Sequence, residues 1–145
     1  MQTLNNNKKM LSLFTIIFVI VFSSFLSEQS GNEIISDYGG WVKLGTKTVS
    51  HGVDSDELDI TETEETFHRL KFKVSKASVY IRNVRIIYND DTSESHIITR
   101  NFQKGDASRV LDLVGYERII KKVIFSYRRR NSGQKRADLV VLAKI

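Results

Sequence analysis

Neither cysteine nor proline occurs in the 145 residues, and tryptophan occurs once, at Trp41. Without cysteine there is no disulfide, no thiol nucleophile and no thiolate metal site, so a folded domain must be held by packing alone. Without proline the turns fall to Gly, Asn, Asp and Ser, which cluster at 89–95, 104–108 and 131–133 and mark strand boundaries. Long uncharged runs are also missing, with one exception. Met10 to Leu26 carries no charge, follows Lys8-Lys9 and leads into a polar stretch.

That run has the layout of an export signal: a basic start, an apolar centre, then small residues. Val21 and Ser23 fit the −3 and −1 positions of a cut after Ser23, whereas a cut after Ser27 would place Phe25 at −3. At seventeen residues the run is longer than a usual signal core and just short of a default spanning helix. The expectation is a signal peptide or N-terminal membrane anchor helix over 1–27, in contact with membrane through 10–26 if uncleaved. A linker over 28–40 and one domain over 41–145 follow. The domain is then periplasmic, secreted or held on the outer side of the inner membrane.

Charge is unevenly placed. Gly31 to His68 has a net charge of −7, and Arg69 to Ile145 a net of +11. An acidic strand beside basic ones would pair these charges across a sheet; the other reading is an exposed basic patch.

From Trp41 onward apolar residues recur every second position. Leu70, Phe72 and Val74 alternate with Lys71 and Lys73, and Val79 and Ile81 alternate with Tyr80 and Arg82, the signature of strands with one wet face. Gly45 permits a bulge, and the shift to Val84, Ile86 and Tyr88 requires an extra residue at Arg82-Asn83. Asn89 to Ser93 is a turn into a returning strand that ends at Phe102. Ile119 to Tyr127 and Asp138 to Ile145 are read as a closing hairpin around Asn131-Ser132-Gly133. A helix over 115–125 fits the charge spacing, but the density of Ile, Val, Phe and Tyr favours a strand.

The pattern predicts an all-β fold: a two-sheet antiparallel β-sandwich, jelly-roll or immunoglobulin-like, of seven to nine strands, with a partly open barrel as the alternative. Its expected core is Trp41, Leu44, Leu70, Phe72, Val74, Val79, Ile81, Val84, Ile86, Leu111, Leu113, Ile120, Val123, Phe125, Val140 and Leu142.

Motifs of catalysis are absent. His51, His68 and His96 lie in separate segments without metal-ligand spacing, no serine sits in a nucleophile elbow, and no Gly-rich loop has phosphate-cradling spacing. Asp54 to Asp59 has the oxygen density a calcium ion prefers but lacks the twelve-residue Gly-centred loop, and on a strand its carboxylates diverge. No cofactor and no metal are expected. Arg128, Arg129 and Arg130, with Lys135 and Arg136 across the turn, form a basic tip suited to phosphate, sulfate or carboxylate. Anionic polysaccharide or lipid headgroups are its expected partners, nucleic acid is not, and an envelope protein partner is the alternative. Asp112 and Arg118 are expected to pair across the Gly115 turn.

The string Gly105-x-x-Ser108-Arg109-x-x-Asp112-Leu113-x-Gly115-x-x-Arg118-x-Ile120 ends in Val123-Ile124-Phe125-x-Tyr127-Arg128. Together with Trp41-Val42-x-Leu44-Gly45, the Asp-rich start at Asp54 to Ile60 and the pair Val79 to Tyr88, it resembles a family of small exported bacterial domains of unknown function. The resemblance implies a β-sandwich and no activity. Such domains carry Asn-Gly in the first hairpin turn. Here Asn89-Asp90-Asp91 stands in its place, which implies a longer or different turn.

The functional expectation is a non-catalytic binding module of the cell envelope or surface. A structural or protein-interaction component is the alternative, and a hydrolase with a cryptic carboxylate pair comes last.

Overall fold

The computed structural model describes residues 39–61 and 63–145. The export segment, the membrane contact through 10–26 and nearly all of the 28–40 linker lie outside the described residues. Eight strands follow one another: β1 (Val42–Thr48), β2 (Ser55–Asp59), β3 (Arg69–Ser75), β4 (Val79–Tyr88), β5 (Ser93–Phe102), β6 (Leu111–Asp112), β7 (Ile120–Tyr127) and β8 (Asp138–Lys144). No helix occurs among the described residues. The strands form two antiparallel sheets of four, ordered β1-β8-β3-β6 and β2-β7-β4-β5.

Alternation decides which face of each strand is dry. On β3, Leu70, Phe72 and Val74 are fully buried while Arg69 and Lys73 are exposed. On β7, Ile120, Val123, Phe125 and Tyr127 are buried. The two dry faces meet at Phe72, whose ring stands edge-on to Phe102 at 5.1 Å and to Phe125 at 5.3 Å, both from the opposite sheet. Such edge-to-face pairs add to the burial of the rings themselves.

Twelve of the expected core residues are buried there, and Leu44 packs against them from the margin. Trp41, Val140 and Leu142 are not in that cluster. β8 is central in its sheet, and its register pairs Leu139, Val141 and Ala143 with Val74, Phe72 and Leu70, so the odd-numbered residues point inward. Its run of consecutive apolar residues carries no alternation from which to read this, because a central strand is covered on both faces. Leu142 is nonetheless buried, on the outer face between Lys43 and Lys71. Tyr88 is buried with Val84 and Ile86, as the shifted period required, and Phe67, Phe102, Tyr127 and Ala137 join the core unforeseen.

Both expected bulges are present. The β1–β8 register shifts between Lys43 and Gly45, and the β4–β5 register between Ile81 and Asn83. Gly45 faces the second sheet, and a Cβ there would lie 3.2 Å from both methyls of Leu58. Gly45→Ala therefore lowers stability by about 1 kcal/mol through overpacking, read from the urea midpoint; an unchanged midpoint would show that Leu58 moves aside freely.

The β4–β5 connection is the one hairpin among the described residues. Asp91 N donates to Tyr88 O (3.0 Å), Tyr88 N donates to Thr92 O (2.9 Å), and Asp91 takes a φ of 63°. This is a three-residue loop with a left-handed third position, longer than an Asn-Gly turn.

The closing hairpin of β7 and β8 is not formed. β7 lies between β2 and β4, β8 between β1 and β3, in different sheets. The segment from Arg128 to Ala137 is an arch between sheets, long enough to cross the roughly 10 Å that separates packed sheets.

The charge asymmetry is partly absorbed across the second sheet. Lys122 Nζ lies 3.0 Å from Glu57 and 3.3 Å from Asp59, on the strand beside them. Hydrogen bonds to these two carboxylates hold the lysine above its ordinary pKa. The carboxylates of β2 diverge as expected, with Asp56 turned inward and Glu57 and Asp59 outward.

Candidate functional site

The arch places the five basic residues singled out in the sequence in two different roles. Tyr127 ends β7 with its ring buried and its hydroxyl donating to Asp56, which anchors the start of the arch. Arg128 N donates to Tyr80 O (2.9 Å), Gly52 N to Arg130 O (3.0 Å), and Val49 N to Ala137 O (2.9 Å). His51 Nε2 donates to the Gln134 carbonyl (2.7 Å). Asn131 and Gln134 close the turn, Gln134 N on Asn131 O (3.1 Å) and Asn131 N on Gln134 Oε1 (3.1 Å). The arch is thus tied to the β1–β2 loop on one side and to β4 on the other.

Arg130 is the internal tie. Its Nη1 donates to Ser78 O (2.6 Å) and its Nη2 to Lys135 O (2.6 Å), while its Nε is buried without a partner. It belongs to the scaffold, not to the outward patch. Arg128, Arg129, Lys135 and Arg136 are exposed, and none has a carboxylate within 4 Å among the described residues. The Arg128 guanidinium lies 4.5 Å from the centre of the Tyr80 ring, a stacking that orients it while leaving its N–H groups free of carboxylate. Four cations therefore project from a backbone fixed by hydrogen bonds, an arrangement that meets an anion with little ordering left to do.

Asp112 and Arg118 do not pair. Asp112 is the cross-strand partner of Arg69, whose Nε donates to it at 3.2 Å. Arg118 instead reaches the β4–β5 turn. Its Nη2 donates to both Asp90 oxygens (3.1 Å each) and to Thr92 Oγ1 (2.5 Å), its Nη1 donates to Val114 O (3.1 Å), and its guanidinium covers the Tyr88 ring at 3.9 Å. Sequence proximity suggested the nearer acid; the fold brings a more distant one. Hydrogen bonds from Thr92 and the nearby Arg118 charge hold Asp90 below the usual carboxylate range.

A shallow, open depression of about 330 Å³ lies at this end, lined by Thr66, Tyr88, Asn89, Asp90, Glu117, Arg118 and Ile119. Beneath it the Tyr88 hydroxyl is buried without a partner of hydrogen-bonding geometry; burial first, then the nearby Glu94 carboxylate, push its pKa up. Glu94 accepts from His96 Nε2 (2.9 Å) and from Val114 N (3.0 Å). His96 thus meets a carboxylate on its own strand, and no group of three His, Asp or Glu side chains converges as metal ligands among the described residues. Arg118 and Glu94 are fully engaged with protein partners here, whereas the arch presents cations without carboxylate partners.

The fold assembles a second basic surface that no sequence motif marks. The outward face of the first sheet carries Lys43, Arg69, Lys71, Lys73 and Lys144. Its signal was present in the alternation of lysines with Leu70, Phe72 and Val74, which was read only for its apolar half.

The model of one protein family, described as a domain of unknown function (DUF2541), matches residues 13–143, and the chain belongs to that family. No curated protein and no solved structure matches the chain.

Proposed function

We propose that this member of the family is a non-catalytic binding module of an exported envelope or surface protein, recognising an anionic glycan through Arg128, Arg129, Lys135 and Arg136. The observation that carries the reading is the division of roles in the arch, with Arg130 spent on fixing the backbone and the four other cations left without carboxylate partners. Guanidinium groups held in place bind sulfate, phosphate or carboxylate bidentately, so a polymer that repeats one of these groups is the fitting ligand class. Export rests on the basic start and apolar run of residues 8–26.

We further infer a jelly-roll rather than an immunoglobulin-like sandwich. The orders β1-β8-β3-β6 and β2-β7-β4-β5 leave a single connection within a sheet and send every other one across, as two interleaved Greek keys require. Lectin domains share that architecture, which is an analogy of fold and not of site.

Replacing Arg128, Arg129, Lys135 and Arg136 together by serine weakens retention on heparin at least tenfold and flattens its dependence on salt, measured at two ionic strengths. Unchanged retention would remove the arch as the binding surface. Arg130→Ser is the contrast: it keeps the four outward cations, so the folded protein retains heparin binding, but it orphans two carbonyls and costs about 2 kcal/mol of stability.

A further inference from the structure

We propose that the outward face of the first sheet is a docking surface for an anionic lipid bilayer, independent of the arch. The register fixes its layout. Lys43, Leu142 and Lys71 form one row across β1, β8 and β3; Thr46, Val140 and Lys73 form the next, and Lys144 and Arg69 the one before. Rows on one face of a strand repeat about every 6.8 Å and strands lie about 4.8 Å apart, so five cations share a patch roughly 10 by 14 Å. Two carboxylates lie on this face. Asp112 is held by Arg69, and Asp138 by Lys76 Nζ (2.6 Å) and Thr48 Oγ1 (2.7 Å). Lys43, Lys71, Lys73 and Lys144 have no carboxylate within 4 Å among the described residues. The outward face of the opposite sheet carries a smaller excess: Glu57 and Asp59 answer Lys122 there, and Arg85 donates to Ser93 Oγ (3.0 Å).

Shape selects a plane over a thread. A linear polyanion lying along β3 would meet Arg69, Lys71, Lys73 and the adjacent Lys144 and miss Lys43, two strands away, whereas a layer of headgroups meets all five together. The lysine stems flank the buried Leu142 and carry their ammonium groups outward, as snorkelling side chains do at a bilayer surface. Trp41, one residue ahead of β1, lies at the rim with its ring 4.1 Å from Lys71 Nζ. An aromatic ring with one polar edge beside lysines is the side-chain chemistry of the headgroup level. Each cation brought to an anionic surface multiplies affinity about fivefold, so the patch as a whole is strong where the single residues are weak.

Trp41 is the single tryptophan of the chain, which makes its fluorescence a reporter of this face alone. The full chain is reconstituted in vesicles of phosphatidylcholine, with and without phosphatidylglycerol, each containing brominated lipid as quencher. Docking gives an increase in Trp41 quenching that requires phosphatidylglycerol and is reversed by salt. In a variant with Lys43→Ser, Lys73→Ser and Lys144→Ser, which leaves Lys71 over the ring, at least tenfold more anionic lipid is needed. Replacing the same three residues by arginine keeps the response and controls for folding. The proposal is overturned if quenching is equal in both vesicles, or if the serine variant behaves as the parent. It is also overturned if the four arch substitutions abolish the response, or if soluble heparin perturbs Trp41 as strongly as the lipid does. Loss of heparin retention by the arch variant, with the lipid response intact, separates this surface from the arch.

Discussion

Phe72→Ala lowers the free energy of unfolding by about 4 kcal/mol. The ring is fully buried, projects from β3 toward the second sheet, and stands edge-on to Phe102 and Phe125. Truncation removes both aromatic contacts and opens a cavity between sheets whose backbones cannot close over it, since β3 is pinned by β8 on one side and by Ser108 on the other. Ser108 Oγ accepts from Phe72 N at 3.0 Å, and Ser108 N donates to Phe72 O at 2.8 Å. A loss of this size is a large fraction of the roughly 5–15 kcal/mol that holds a domain folded, and no disulfide is present to offset it. Phe72→Leu keeps most of the volume and costs about 1.5 kcal/mol. Urea unfolding of both variants gives the comparison. A cost below about 1 kcal/mol for the alanine variant would mean that the two sheets are not in contact at Phe72.

The alternation that exposed Phe72 as a core residue was legible because β3 has one wet face, and lysines at 71 and 73 mark it. On β8 the same reading fails, because Leu139-Val140-Val141-Leu142-Ala143 is apolar on both faces and its register is decided by β3, not by its own pattern. The Gly45 and Arg82 bulges were visible as breaks in the period of two. Sheet membership was not, and for the same reason the arch looked like a hairpin tip. Asn131-Ser132-Gly133 signals a turn, but a turn does not say whether the next strand pairs with the last or crosses to the other layer. Asp112 and Arg118 show the limit for charged residues: six positions apart, each finds its partner through the fold, Arg69 and Asp90. The arch cations were legible as a run of arginines, whereas the inward turn of Arg130 depends on Ser78 O, fifty-two residues away. The lysine face of the first sheet was present in the sequence as the polar half of an amphipathic pattern, and only the strand order gathers its members from β1, β3 and β8.

Asp56→Ala costs about 3 kcal/mol, although Asp56 lies in the most acidic segment of the chain and looks like one more solvated carboxylate. Its side chain turns in from β2 and accepts from the Tyr127 hydroxyl, from Ser50 N (2.7 Å) and from Ser50 Oγ (2.9 Å), with Lys47 Nζ 3.8 Å away. Removing it leaves the hydroxyl of a fully buried tyrosine with only a long contact to Ser50 O (3.4 Å) and orphans the Ser50 N–H in the β1–β2 loop to which the arch is tied, and both carry a desolvation penalty. Burial alone would raise the Asp56 pKa, but the hydrogen bonds from Tyr127 and Ser50 and the charge of Lys47 outweigh it and hold the carboxyl below its ordinary value. The native state therefore binds fewer protons than the unfolded chain as pH falls through the carboxylate range. The contribution of Asp56 is complete above about pH 4 and disappears as pH falls through the depressed native value. Asp138 acts in the same direction: burial opposes its ionisation, and Lys76 and Thr48 overcome that. At the other end of the scale, burial and then the Asp56 carboxylate push the Tyr127 phenol up, so stability is complete below about pH 10 and falls as pH rises beyond it. Asp56→Asn is accordingly less stable than the parent at neutral pH and loses less on acidification. Tyr127→Phe, in turn, removes part of the alkaline decline. Urea midpoints measured from pH 2 to 11 test both limbs; parallel curves for the parent and the Asp56→Asn variant below pH 4 would show that this carboxylate is not what the arch is anchored to.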